Sequence, residues 1–229
     1  MEDPNFLEDI FPKNLLYAVT IRSPVPSGII KLIQIPKLPN NYTLITARDI
    51  PGENRLEDTD IPILADVNLS YAGEPAALLI GPDKTKLEEL ALMCKIIFDE
   101  NKPVFTCEED SKAPAAVREL QIGDTQGAFL KSGKIIANSY STGVQDHWYA
   151  EPVGAVTMYR IDDKDKEKEK EKKDQKGKKT DSTLIVKTAT QWPYHVKRSV
   201  AKALGIDPAG VCVEPTSLNI HMDGKLWYP

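Results

Sequence analysis

The strongest constraint on this sequence is a run of charge that no folded core can bury. The segment from Asp162 to Lys179 contains 9 lysines and 7 acidic residues among its 18 positions. Such a tract can be a solvated single helix supported by Lys–Glu pairs, or it can be disordered because it has almost nothing to bury. Since strand-like runs flank it, we interpret it as a disordered insertion in a hairpin loop. An interaction tail for a charged partner is the alternative.

The rest of the chain is acidic. Of 29 basic and 34 acidic residues, 20 and 27 lie outside the charged run. An acidic surface argues against non-specific binding to nucleic acid and against docking on anionic lipid. No apolar run approaches the ~18 residues of a membrane span. The N-terminus, MEDPNFLEDIF, lacks the basic and apolar regions of a signal peptide, so we expect the cytoplasm.

Cysteines and histidines do not form a metal-binding pattern. The chain has neither a CxxC motif nor two histidines at helical spacing, so we predict no metal site held by this chain alone. We expect Cys94 and Cys212 to be buried thiols, because they lie in apolar stretches. The third cysteine and the three histidines are Cys107, His147, His195 and His221.

The first half reads as strands with one helix. Apolar runs bounded by Pro and Gly predict strands at 15–21, 29–35, 42–47, 69–71, 76–80 and 95–98. Asp83 is a plausible N-cap for a helix from Lys84 to Met93, whose apolar residues recur at i, i+3 and i+4. This strand–helix–strand order predicts one crossover packed on a sheet.

The second half begins near Gln121. Its glycine-bearing start, 123–130, predicts a turn and a short helix. Pro193 and Gly205 mark the first turn and the C-cap of a longer helix. Further strands are predicted at 134–140, 152–160, 183–188 and 211–213.

Two polar–aromatic stretches are candidate sites. Ser141 to Glu151 (STGVQDHWYAE) joins two predicted strands, where binding groups tend to sit. Thr188 to Tyr194 (TATQWPY) runs from a strand end into a helix N-terminus, where free backbone N–H groups can hold an anion. Structural alternatives are a buried Trp148–Tyr149 pair in the first stretch and a simple helix cap in the second. By themselves the residues predict an α+β protein without naming its task.

Taken in order, these motifs resemble the molybdenum-binding subunit of the xanthine dehydrogenase and aldehyde oxidase family. Leu16 to Pro24 resembles the family's "LYAAFVRSPHAHA" opening. TARDIPG at 46–52 is similar to its "TAADIPG", and LSYAGEPAA at 69–77 to its "VRYVGEPVAAV". The resemblance implies an α+β chain: an α/β hammerhead domain over 1–107, a linker over 108–120 and a partial molybdopterin-binding domain over 121–229.

The second half carries the residues that the resemblance places near the cofactor. Gln145 to Pro152 resembles the family's "QxHxxMEP", which implies that Gln145 contacts the oxo ligand of molybdenum. TQWP at 190–193 is similar to its "STQxP". The family's "GGGFGGK" loop corresponds to Asn219–Lys225, which matches only at Gly224 and Lys225. Gly224 is therefore the second cofactor-binding candidate, and no catalytic residue and no metal ligand is assigned.

The resemblance also implies a function. Family members are oxidoreductases that hydroxylate carbon centres at molybdopterin-bound molybdenum and pass electrons through iron–sulfur clusters to FAD. This chain lacks cysteines for the clusters and a dinucleotide fingerprint for FAD, so both are expected on partner subunits or domains. We expect the N-terminal portion of such a subunit, inactive alone, with the cofactor bound only in the complete enzyme. The alternative is a non-catalytic structural or assembly subunit. Self-association through exposed apolar residues is also expected, with Trp227 and Tyr228 as contributors.

Overall fold

The computed structural model describes residues 6–105, 119–143, 145, 153–161 and 182–217. The chain divides into two compact units, residues 1–103 with 149–229 and residues 104–148. The domain boundaries implied by the resemblance, 1–107, 108–120 and 121–229, stay predictions. The charged run at 162–179 lies outside the described residues.

Helices and strands are mixed along the chain, in agreement with the predicted α+β class. The helices of the described residues are α1 (Lys84–Met93), α2 (Thr125–Lys131) and α3 (Pro193–Leu204). Their strands are β1 (Tyr17–Arg22), β2 (Gly28–Gln34), β3 (Thr43–Thr46), β4 (Asn68–Leu69), β5 (Pro75–Gly81), β6 (Lys95–Glu100), β7 (Ala155–Ile161), β8 (Ser182–Thr188) and β9 (Val211–Pro215).

The first sheet has the order β1–β5–β3, and both pairs are antiparallel. Its central strand β5 is an apolar run, and Leu79 in it is fully buried against Leu87 and Leu90 of α1. Helix α1 begins where the sequence predicts, because the Asp83 carboxylate accepts a hydrogen bond from the Lys86 N–H at 2.8 Å. One face of the helix therefore covers one face of the sheet.

The second sheet has the order β4–β2–β6, and it corrects the predicted crossover. Strand β6 pairs antiparallel with β2 rather than joining the sheet of β5, so α1 connects two different sheets. The reason lies in the connection, since only Cys94 separates α1 from β6. A parallel return to the same sheet requires a crossover whose helix is joined by loops at both ends.

The third sheet has the order β7–β8–β9. Strands β7 and β8 are antiparallel, whereas β8 and β9 are parallel and are joined through α3. The apolar stripe of α3 packs on this sheet, with Leu184, Val186, Ala201 and Val211 buried together. Gly205 ends the helix with φ 64°, the left-handed conformation that glycine adopts without strain.

The end of α3 is held by a loop from the first half of the chain. The backbone N–H of Gly52 donates to the Ala203 carbonyl at 2.8 Å, and that of Glu53 donates to the Lys202 carbonyl at 3.1 Å. These carbonyls belong to the last turn, whose acceptors lack the usual i+4 partner, and the Lys202 carbonyl also accepts from the Gly205 N–H at 3.2 Å. A methyl group on Gly52 would collide with the Lys202 carbonyl oxygen, so only glycine fits this contact. We call residues 52–58 together with 198–205 the clasp.

Side chains extend the clasp along α3. The Glu57 N–H donates to the Ser199 hydroxyl at 3.0 Å, and Arg198 lies 3.4 Å from the Glu57 carboxylate. Lys202 pairs with Glu53 at 3.1 Å, and this hydrogen bond raises the pKa of Lys202 above its ordinary value. A raised lysine pKa means that the pair stabilises the fold below the unfolded pKa and loses that effect as the pH rises through the folded pKa.

Two further expectations differ from the structure. The predicted strand at 134–140 is absent: the described residues 119–143 contain no strand. Cys94 and Cys212 are half-buried rather than buried. Partial burial still raises the pKa of the Cys94 thiol, and Cys107 lies outside the described residues.

Removing the charged insertion tests the hairpin interpretation. Strands β7 and β8 pair up to Ile161 opposite Ser182, so a two-residue Asn-Gly turn can replace residues 162–181. Each halving of loop length lowers the closure cost by ~0.6 kcal/mol, so the free energy of unfolding should stay level or rise by at most about 2 kcal/mol. Thermal unfolding measures this. A clear loss of stability, with trypsin failing to cut the run first, would indicate a docked helix instead.

The clasp predicts that alanine lowers the free energy of unfolding at Gly52 but not at Gly210. Gly52→Ala should lower the free energy of unfolding by about 1–3 kcal/mol, because the new methyl group displaces the loop from α3. Gly210→Ala is the matched control, since no atom lies within 4 Å of its new methyl group. Urea unfolding of both variants gives the comparison. Equal effects at the two positions would contradict the clasp.

Candidate functional site

The carboxyl ends of the parallel strands β8 and β9 form a polar edge, next to which Lys187 and Glu214 form an ion pair at 3.2 Å. Three threonines lie there with little exposure: Thr188 at 1%, Thr190 at 2% and Thr216 at 6%. The Thr216 N–H donates to the Thr188 carbonyl at 3.0 Å, which fixes the start of the segment after β9 beside the end of β8. Ligands of open α/β sheets bind at this end of parallel strands.

Two of the three hydroxyls have structural partners. The Thr188 hydroxyl donates to the Gly154 carbonyl at 2.6 Å, and the Thr190 hydroxyl accepts from the Trp192 N–H at 3.1 Å. The buried Thr216 Oγ1 has no hydrogen-bond partner among the described residues. A buried hydroxyl without a partner loses its hydrogen bonds to water and gains none in the protein, which costs stability. Such groups therefore need an explanation. Thr216 is therefore the residue of this edge most open to a ligand role.

The first turn of α3 does not offer the anion site that the sequence suggested. Pro193 has no N–H, and the N–H of Trp192 is taken by Thr190. The N–H groups of His195 and Val196 both donate to the Trp192 carbonyl, at 3.0 and 3.2 Å. Thr190 thus holds the N–H of the N-cap residue Trp192, but no side chain caps α3, so the simple helix cap is not observed either.

An open depression of about 420 Å³ lies beside this turn. Its aromatic wall includes Trp192 and His195, whose ring centroids are 5.8 Å apart at an angle of 58°. Its cation, Arg198, lies 3.4 Å from Glu57 and 3.3 Å from Asp58, so two acidic groups already neutralise it. The depression is therefore mainly an aromatic surface. His195 is half-buried in it.

The two site residues implied by the resemblance are not brought together among the described residues. Gln145 is exposed, and its side-chain amide donates to the Gly143 carbonyl at 3.5 Å. Gly224 lies outside the described residues, as do His147, Trp148 and His221. Both assignments therefore stay predictions.

The described residues offer neither a cluster of metal ligands nor a membrane-spanning helix. The described residues contain no group of three or more His, Cys, Asp or Glu side chains that could hold a metal ion. None of their helices is long and apolar enough to cross a membrane.

Sequence reasoning missed Thr216 and the clasp. A threonine after a strand carries no distinctive signal, because its importance comes from the packing that buries it. The clasp had a partial signal in Pro51-Gly52, which reads as an ordinary turn until the helix end that it contacts is known.

Comparison with known proteins confirms the recognised resemblance. No family model matches the chain. The chain is 24% identical to aldehyde oxidase 2 of Rattus norvegicus, over 98% of this chain and 16% of that protein. It is 25% identical to the nicotinate dehydrogenase large molybdopterin subunit of Eubacterium barkeri, over 99% of this chain and 52% of that subunit. A xanthine dehydrogenase of Blastobotrys adeninivorans is 24% identical over 86% of this chain.

Solved structures establish the same fold. Quinoline 2-oxidoreductase from Pseudomonas putida 86 matches 96% of this chain with a TM-score of 0.72 and 20% identity. Aldehyde oxidoreductase from Desulfovibrio gigas matches 90% with a TM-score of 0.67 and 17% identity. The chain covers 29% and 24% of these two proteins, and about half or less of the curated relatives named above.

Thr216 predicts an unusual stability effect. Thr216→Val removes a buried hydroxyl that has no partner among the described residues, so the free energy of unfolding should stay level or rise by about 1 kcal/mol. Thr188→Val is the matched control, because it leaves the Gly154 carbonyl without its donor and should cost about 1–3 kcal/mol. Denaturant unfolding distinguishes them. A large loss in Thr216→Val would mean that the hydroxyl has a structural partner.

Proposed function

We propose that this chain forms the N-terminal portion of the molybdopterin-binding subunit of a molybdenum hydroxylase. The supporting observation is similarity along 98–99% of the chain to aldehyde oxidase 2 and to a subunit named for molybdopterin. The fold match to quinoline 2-oxidoreductase, at a TM-score of 0.72, agrees with it. Because the chain covers about half or less of these relatives, the activity of the whole enzyme is part of the proposal.

The described residues fit the cofactor in one respect. Thr216 supplies a buried hydroxyl at the carboxyl edge of β8 and β9, where a pterin or its phosphate needs polar contacts. The cations near this edge are already paired, Arg198 with Glu57 and Asp58 and Lys187 with Glu214. We propose Thr216 as a cofactor contact, together with Gln145 and Gly224 from the resemblance. When bound, the cofactor supplies the hydroxylation chemistry, and this chain's residues bind and orient it.

The first two sheets with α1 are proposed as the α/β hammerhead domain. Each of these sheets has three strands, and α1 packs on the first and leads directly into β6 of the second. The clasp joins this region to the last turn of α3. In this proposal, the hammerhead region holds α3, and hence the β8–α3–β9 edge, in position for the cofactor.

Electron transfer is proposed to depend on partner subunits or domains. The chain has 3 cysteines, whereas an iron–sulfur cluster of the common type needs four thiolates. It also has no glycine-rich dinucleotide fingerprint for FAD. Iron–sulfur and FAD partners are therefore assigned, and the cytoplasm stays the expected compartment.

A non-catalytic assembly subunit is the second candidate. Asn219–Lys225 matches the family's glycine-rich loop only at Gly224 and Lys225. Glycines let backbone approach a ligand closely, and side chains in their place would crowd it. A relative that kept the scaffold and lost the cofactor would show this departure.

Purification from the native host distinguishes the two candidates. We expect the tagged chain to be isolated with companion polypeptides, and the complex to contain molybdenum by elemental analysis and pterin by fluorescence after oxidation. The separated chain should contain neither. Thr216→Val should lower the molybdenum content several-fold without dissociating the complex, whereas Gly210→Ala should leave it unchanged. The Gly210 variant shows whether substitution and purification by themselves lower the molybdenum content, because its new methyl group meets no atom within 4 Å.

Two results would count against the catalytic proposal. A complex with companion polypeptides but without molybdenum and pterin would favour the assembly subunit. A chain isolated from its host with neither companions nor cofactor would contradict both candidates.

A further inference from the structure

Two hydroxyl groups at the carboxyl edge of β8 and β9 carry hydrogens that no described residue accepts. The buried Thr216 Oγ1 has no hydrogen-bond partner in the described part of the chain. The Thr190 hydroxyl accepts from the Trp192 N–H at 3.1 Å, but its own hydrogen has no acceptor among the same residues. Thr188 differs, because its hydroxyl donates to the Gly154 carbonyl at 2.6 Å. Since a hydroxyl has one donor hydrogen, Thr190 and Thr216 each keep one unused.

One carbonyl oxygen brings these two threonines together. The Thr190 N–H donates to the Thr188 carbonyl at 3.1 Å, and the Thr216 N–H donates to the same oxygen at 3.0 Å. Both backbone nitrogens therefore lie within hydrogen-bonding distance of a single atom, just beyond the ends of two parallel strands. Because that carbonyl already accepts two hydrogens, both of its lone pairs are occupied and neither hydroxyl can donate to it.

Burial makes the two unused donors informative. Thr190 is 2% exposed and Thr216 is 6% exposed, so water has little access to either side chain. A buried donor without an acceptor lowers stability, and native proteins contain few of them. Two such donors side by side indicate a ligand that supplies the missing acceptor, at the end of parallel strands where ligands bind.

The charges around this edge favour an uncharged acceptor. Two cations near it are already paired, Lys187 with Glu214 at 3.2 Å and Arg198 with Glu57 at 3.4 Å. An oxyanion held by two hydroxyls without a cation would lose its hydration and gain too little in return. A carbonyl oxygen has two lone pairs and no net charge, so two hydroxyl donors satisfy it.

We propose that Thr190 and Thr216 form a pair of hydroxyl donors for one uncharged oxygen of the cofactor, the oxo group of its pterin. The inference rests on the proposed function. It adds Thr190 as a second contact of this chain and names the part of the cofactor that the edge binds. Two donors aimed at one oxygen also fix the orientation of the ring, as a few well-placed polar groups do in small-molecule sites.

The rate at which pterin leaves the complete complex, purified from the native host, tests the pair. Thr190→Val and Thr216→Val should each speed release several-fold. The double variant should be faster than either, but by less than the product of the two effects, because each donor holds the oxygen for the other. Fluorescence of the oxidised filtrate measures the released pterin, and thermal unfolding checks that each variant folds.

Thr188→Val is the matched control. It breaks one structural hydrogen bond at the same edge, as Thr190→Val does, but Thr188 has no unused donor. It should therefore leave the release rate unchanged. Thr190→Ser keeps the hydroxyl and should release pterin at the wild-type rate.

Two spectra of the bound cofactor identify the oxygen. In Thr216→Val the carbonyl stretching frequency of the pterin should rise, because a hydrogen bond to a carbonyl lowers it. The phosphorus-31 resonance of the cofactor should stay unchanged. A shifted phosphorus resonance with an unchanged carbonyl frequency would mean that the hydroxyls bind phosphate, and it would overturn the uncharged acceptor.

The remaining outcomes separate this inference from the proposed function. Wild-type release rates in both valine variants, from a complex that contains pterin, would overturn the hydroxyl pair and leave the proposed function standing. Equal acceleration by Thr188→Val and Thr190→Val would show that the edge matters only through its structural hydrogen bonds, which also overturns the pair. A wild-type complex without pterin would contradict the catalytic proposal and this inference with it.

Discussion

Two backbone hydrogen bonds at the end of α3 join the two chain segments of the larger compact unit. The carbonyls of Lys202 and Ala203 lie in the last turn, and both accept from a loop more than a hundred residues earlier in the chain, although Lys202 also accepts from the Gly205 N–H at 3.2 Å. Each bond contributes only about 0.5–1.5 kcal/mol net, and the two residues that accept them are half-buried. Ion pairs at Arg198 and Lys202 orient the loop but add little stability, because solvent screens exposed pairs.

Local signals predicted most elements of the fold. The Asp83 cap, the left-handed Gly205 and the apolar strand runs each act over a few residues, so the sequence defines them without knowledge of the tertiary structure. The sequence was a poorer guide to which strands pair with each other. The partner of β6 depends on the short connection through Cys94, and the strand expected at 134–140 has the right composition but no ladder in the described structure. Composition predicts that a segment can form a strand, whereas a strand exists only where a neighbour accepts its hydrogen bonds.

Some residues of the candidate site were likewise predicted from the sequence, whereas others were found only in the structure. Resemblance supplied Gln145 and Gly224, but their position relative to the β8–β9 edge depends on residues beyond those described. The Thr188–Tyr194 stretch was recognised as polar and aromatic, yet the Trp192 N–H donates to Thr190 and the next helical N–H groups, of His195 and Val196, donate to the Trp192 carbonyl. Thr216 was found only from burial, since a lone hydroxyl becomes informative when packing removes both water and partners.

The closed register between Ile161 and Ser182 has a consequence for how this chain can vary and be used. Strands β7 and β8 are fully paired up to Ile161 and Ser182, so the sheet does not depend on how many residues connect them. Gene variants that lengthen or shorten this connection should accumulate without selection from folding. The same junction is an internal fusion point: a reporter domain whose own termini lie close together could be inserted there, leaving both ends of the chain unmodified.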